Sequence, residues 1–155
     1  MTRLRPPARR SSAPSAPDPD WLLRVLAIDH GAARAGSAIS DPTGTIARPL
    51  GVIEPPEPQK AAELVAEHDA DLVVVGLPVS LDGTEGKQAA DARAFRDELA
   101  AIVHVPVETY DERLTTRLAE SSAQAGANAP ADALAAAHLL ETYLQHLASA
   151  GEPPR

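Results

Sequence analysis

The sequence predicts an α/β fold: a mixed five-stranded sheet in the order β-β-β-α-β-α-β-α-α, flanked by helices. Three observations predict it. The hydrophobic pattern switches regularly between short strand-length runs and segments of helical period. The run DLVVVGLP, Asp71–Pro78, is continuously apolar, as a central parallel strand covered on both faces must be. Turn residues Pro42, Thr43 and Gly44 join two earlier runs, which makes them a hairpin.

Taken in order, Leu22–Asp29 (LLRVLAID) is a short apolar run ending in an acid and reads as a buried strand. Gly36–Asp41 and Ile46–Glu54 read as the hairpin strands beside it. Gln59–His68 places Ala61, Leu64, Val65 and His68 on one helical face. After the Asp71–Pro78 strand, Lys87–Ile102 is a helix, with Ala92, Phe95, Leu99 and Ile102 forming its stripe. Val105–Thr109 is the fifth strand. Thr115–Ala125 and Ala131–Ala148 are the last two helices. Leu140, Tyr143, Leu144 and Leu147 line the latter, and Asn128 and Pro130 mark its start. Three meandering strands followed by two helix-crossed strands is the layout of a ribonuclease-H-like domain.

Of the 155 residues, 1–20 hold five prolines, three serines and almost no core-forming side chain, so they read as a disordered tail; 150–155 form a second, and 21–149 the folded domain. The absence of cysteine excludes a disulfide framework, a thiol nucleophile and thiolate-ligated metal. No run approaches the roughly 18–20 apolar residues that cross a bilayer, and no apolar stretch follows the N-terminal arginines as in a secretory signal. A cytoplasmic protein without a membrane partner is expected. The net charge of −8 is uneven: four arginines and two acids give the tail +2, while the remainder carries −10. So acidic a body repels nucleic acid at long range, and phosphate chemistry needs local cations to overcome that.

Three acidic positions fall at strand ends or a helix start: Asp29 at the end of the first strand, Asp111 and Glu112 after the fifth, and Asp132 opening the last helix. In an open α/β sheet such ends converge on one crevice. Gathered carboxylates suit hard divalent cations, and a pair of ions clamps the attacking and leaving oxygens of a phosphodiester displacement. Each acid also has a plainer role, as a turn former, a partner of Arg113, or, for Asp132, a favourable charge at a helix N-terminus worth ~0.3–1 kcal/mol. His30 beside Asp29 reads as solvated. Gly31 and Gly36 suit tight turns or close backbone approach.

Four stretches carry a resemblance: AIDHGAARAGSAISD (Ala27–Asp41), VGLPVSLDGTEG (Val75–Gly86), DERLTT (Asp111–Thr116) and DALAAAHLLETYL (Asp132–Leu144). In this order they resemble the motifs of the YqgF/RuvX family, Holliday-junction-resolvase-like proteins also called pre-16S rRNA nucleases. The resemblance runs from about Arg24 to Gln145. It implies a ribonuclease-H-like fold and a hydrolase that trims the 5′ end of precursor 16S rRNA with Mg²⁺ or Mn²⁺ in a two-metal site. The family triad maps onto Asp29, Glu112 and Asp132, with Asp111 an alternative to Glu112. Arg34 and Arg113 are the natural phosphate contacts, with ion pairing to nearby acids the competing role for both, and Ser80 is a further donor. The implied partners are precursor rRNA and a small-subunit ribosomal precursor, with the chain a monomer or homodimer.

The pattern departs from the family in Ala27 and Ala35, in a shorter segment between Ile53 and Leu64, and in Gln124–Asp132 (QAGANAPAD). That last stretch carries no Lys or Arg where the family has a basic one, which removes part of the counterion-release contribution to nucleic-acid affinity. A DNA junction resolvase shares the chemistry and differs in substrate. A non-catalytic nucleic-acid- or ribosome-associated module is favoured by the missing basic stretch and opposed by the intact triad. The D-x-G opening also starts sugar kinases and actin-like ATPases, but those require two such domains.

Overall fold

The computed structural model describes residues 23–78, 86–111 and 129–150. The tail at 1–20, residues 151–155 of the tail expected at 150–155, Ser80, Glu112, Arg113, Asn128 and the Thr115–Ala125 helix lie outside the described residues, while Ala150 ends a helix. Eight elements follow one another: β1 (Val25–His30), β2 (Ala35–Ser40), β3 (Ala47–Ile53), α1 (Pro58–His68), β4 (Leu72–Leu77), α2 (Lys87–Ile102), β5 (Val107–Asp111) and α3 (Ala131–Ala150). The sheet order is β3-β2-β1-β4-β5. β2 runs antiparallel to β1 and β3, while β4 is parallel to both β1 and β5. No helix among the described residues is long and apolar enough to cross a membrane.

The predicted meander forms for the predicted reason. Asp41 closes the β2–β3 turn: its Oδ1 accepts the amide N–H groups of Thr45 and Ile46 at 2.8 and 2.9 Å. Gly44, at φ 70°, donates its N–H to the Asp41 carbonyl at 2.9 Å. β3 is the outer strand. Its pairing with β2 slips between Ser37 and Ala38, which oppose Gly51 and Pro49, so Leu50 is the extra residue of a bulge, partly buried against the core.

β1 and β4 are buried on both faces, which is why their sequences run apolar without alternation. One face packs Leu26, Ile28, Ile39, Val73, Val75 and Val107 against Ala61 and Val65 of α1 and Ala92, Phe95 and Leu99 of α2. The other packs Val25, Ala27, Ala38, Leu72, Val74 and Tyr110 against Ala136, Leu140, Tyr143 and Leu144 of α3. On that second face the Tyr143 hydroxyl donates to Glu108 Oε1 at 3.1 Å, and its ring meets Tyr110 edge-on at 5.3 Å between centroids. The result is three layers, α1 and α2, the sheet, then α3.

Three expectations require correction. β5 starts and ends two residues later than predicted, because Pro106 has no N–H to donate to the ladder. Its carbonyl accepts from Val73 at 3.0 Å and the strand begins at Val107, so Asp111 lies within β5 rather than after it. Ile102 does not join the α2 stripe: at the last turn it has rotated out and is 40% exposed. His30 is not solvated. It extends β1 on the α2 side and is half-buried, its ring 5.0 Å from that of Phe95.

α3 approaches the sheet closely through small residues. A Cβ placed on Gly36 would lie 1.8 Å from the Asp132 carbonyl oxygen and 2.9 Å from the Ala133 nitrogen. Ala133, Ala136 and Ala137 continue this seam, all of them buried.

Two outcomes follow for stability. Gly36→Ala should cost about 3 kcal/mol, the top of the overpacking range, because backbone rather than a pliable side chain blocks the new carbon. Gly51→Ala, where nothing lies within 4 Å, should stay within about 0.5 kcal/mol of wild type, both read by urea denaturation. Burial lowers the His30 pKa from its ordinary value of 6.5, against the opposing pull of Asp91 and Asp29. The unfolded chain therefore takes up the proton first, and stability falls as pH drops below about 6.5. Acidification from about pH 7.5 to about pH 5.5 should lower the urea midpoint more in wild type than in His30→Gln.

Candidate active site

The C-terminal ends of β1, β4 and β5 share one rim because these strands are parallel: Ile28 lies beside Val75, Val75 beside Thr109, and Leu77 beside Asp111. Asp29 stands at that rim, directly opposite Gly36 of β2. Alternation along β1, with Val25 and Ala27 facing α3, puts Asp29 on the α3 face. Gly36 is the residue on which the first turn of α3 rests, so the same glycine that faces Asp29 fixes the backbone of Asp132. Asp29 and Asp132, 103 positions apart, are thereby brought to one corner of one face.

Asp132 lies in the first helical turn, where Leu134 donates its N–H to the Pro130 carbonyl at 3.0 Å. The carboxylate thus stands at the positive end of the α3 dipole, the plainer role expected of it. Its side chain is held by Arg34, whose Nε donates to Oδ2 at 2.5 Å. This hydrogen bond, the charge of Asp132 and that of Glu54 raise the already high Arg34 pKa, so the guanidinium stays charged throughout. Arg34 closes a tight turn after β1: the Gly31 N–H donates to its carbonyl at 3.0 Å, and a Cβ on Gly31 would lie 2.7 Å from that oxygen.

Asp111 ends β5 two strand spacings from β1, a distance of about 10 Å. By register it stands beside Leu77 on the α2 face, whereas Glu108 and Tyr110 face α3. Asp29 and Asp132 therefore come together and Asp111 is turned to the other side of the sheet. Among the described residues, no three His, Cys, Asp or Glu side chains are grouped to hold a metal ion. Glu112, Arg113 and Ser80, named from the sequence, lie outside the described residues. Glu54, the acid that follows β3, was not singled out from sequence. Its signal is its place at the end of an apolar strand, the same signal that marks Asp29.

Comparison with known proteins agrees with this architecture. The family model RuvX, described as Holliday junction resolvase, matches residues 23–146. A provisionally named pre-16S rRNA nuclease of Chloroflexus aggregans is 42% identical over 130 residues, covering 77% of this chain and 92% of the relative. Relatives with the same provisional name include those of Thermobifida fusca, 48% identical over 66% of this chain and 67% of its own, and Streptomyces coelicolor, 39% identical over 84% and 85%. Thermus thermophilus RuvC superposes with a TM-score of 0.61 at 14% identity, covering 85% of this chain and 99% of that one. Its complex with a Holliday junction substrate gives 0.62 at the same identity, covering 86% and 99%. The likeness to RuvC bears out the ribonuclease-H-like fold expected from the element order. With a family model spanning nearly all of the described fold and relatives above 40% identity, the chain belongs to the RuvX family.

Proposed function

We propose that the chain is a metal-dependent nuclease that hydrolyses phosphodiester bonds at the 5′ end of precursor 16S rRNA. One observation carries the reading: Asp29 and Asp132, distant in sequence, are fixed at one corner of the sheet by the contact of α3 with Gly36. The names of the relatives support the substrate.

The donor chemistry fits a hard divalent cation. Both carboxylates offer oxygen only, and the chain has no cysteine to attract softer metals. Asp111 stands on the α2 face, so we assign the third ligand to Glu112, the next residue in the chain, rather than to Asp111. Asp29, Glu112 and Asp132 would then hold Mg²⁺ or Mn²⁺, which when bound supplies neutralisation of phosphate charge and activation of water. Asp29 would do its part from the end of β1, whose preceding four residues are buried. Asp132 would do so from the first turn of α3. Arg34, Arg113 and Ser80 are assigned to the RNA phosphates.

A DNA junction substrate is the second reading, favoured by the description of the family model. The test incubates the protein with a precursor 16S rRNA 5′-end fragment and with a four-way DNA junction, each with Mg²⁺ or Mn²⁺. RNA cleavage that requires metal and falls at least about 100-fold in Asp29→Asn is the expected result. Junction cleavage alone transfers the activity to DNA. If neither substrate is cut, the chain keeps the fold as a non-catalytic module.

A further inference from the structure

Resting on that nuclease reading, we propose that Arg34 is a positioning residue for Asp132: it occupies the carboxylate as an exchangeable counter-charge, a divalent cation displaces it, and the released guanidinium engages RNA phosphate. The contact is short and charge-assisted, at 2.5 Å from Nε to Oδ2. Yet the two side chains are 53% and 39% exposed, and a bridge so open to water adds little to stability. Its value lies in what it does to the carboxylate.

Both partners have fixed backbones and free side chains. The Arg34 carbonyl is pinned by Gly31, and the Asp132 backbone rests on Gly36. Exchange therefore requires only side-chain rotation, with no movement of strand or helix. The bond to Asp132 runs through Nε, while the guanidinium carries four more N–H groups on its two Nη atoms, in the planar fork that suits phosphate. Glu54 adds a second negative charge to the neighbourhood, so Arg34 stays tethered to this corner after it leaves Asp132.

The sign of the effect follows from charge. Arg34 and a divalent cation both need the Asp132 oxygens, so they compete, and removing Arg34 must favour the cation. Once the cation holds Asp132, Arg34 is available to an anion. Outside its first 20 residues the chain carries −10, so a phosphate contact released only by cation loading keeps RNA engagement conditional on a charged site. The linkage is reciprocal: RNA that captures Arg34 tightens cation binding.

Mn²⁺ titration followed by the electron paramagnetic resonance of free Mn²⁺ tests the competition. Arg34→Gln is expected to bind Mn²⁺ about tenfold more tightly than wild type, Arg34→Lys to fall near wild type, and Arg34→Gln to give no gain in an Asp132→Asn background. RNA affinity, read by fluorescence anisotropy on a precursor fragment with phosphorothioate linkages that resist cleavage, should drop in Arg34→Gln with Mn²⁺ present and match wild type in EDTA. A bridge with no role beyond the fold would leave both comparisons flat. Equal or weaker Mn²⁺ binding by Arg34→Gln, no Mn²⁺ binding by any of the proteins, or an RNA defect of equal size in EDTA overturns the proposal. None of these readouts scores cleavage, so wild type that binds Mn²⁺ but leaves RNA intact sinks the nuclease reading alone.

Discussion

The contact on which the rest depends is between two backbones. Gly36 lets the first turn of α3 settle where no side chain could fit, 1.8 Å from where a Cβ would stand. Everything on the α3 face is set from there. The helix lies low enough for Ala136 and Leu140 to fill the space above Ala27 and Val74, and Tyr143 reaches Glu108. Because Gly36 also opposes Asp29, the same contact decides which residues meet at the sheet corner. Packing and site geometry are one constraint, so neither can change without the other.

Electrostatics at that corner is a matter of local balance within an acidic body. Asp29, Glu54 and Asp132 gather near the rim, and Arg34 is the cation on Asp132. Like charges brought to one corner repel, the more so the less water lies between them. A resident arginine and a helix dipole both lessen that repulsion without burying any of the groups.

Much of this was legible in the sequence, for reasons tied to particular residues. Strands buried on both faces have no choice but continuous apolar character, so β1 and β4 announced themselves through LLRVLAI and LVVVGL. The Asp41 turn was legible because Pro42, Thr43 and Gly44 leave the chain few alternatives. The family is legible in four ordered motifs that span the folded part of the chain. What stayed hidden was relational. Nothing in the sequence distinguishes a glycine that makes a turn from one that admits a helix, and only the register of β1 with β2 shows that Gly36 serves Asp29 and Asp132 at once. Strand ends were misjudged at β5 because Pro106 lends its carbonyl to the ladder while having no N–H to give. His30 looked like a polar residue at a rim, whereas alternation turns it inward onto Phe95.

The outer strand β3 has a consequence of another kind. A sheet whose rim lies open offers unpaired amides to any extended chain that drifts past, the usual route to aggregation. Here Pro49 has no amide hydrogen to offer and the Leu50 bulge breaks the spacing that a docking strand would need. Covalent structure and a local irregularity thus blunt this margin. One proline and one extra residue are thus enough to make this edge a poor template for a further strand.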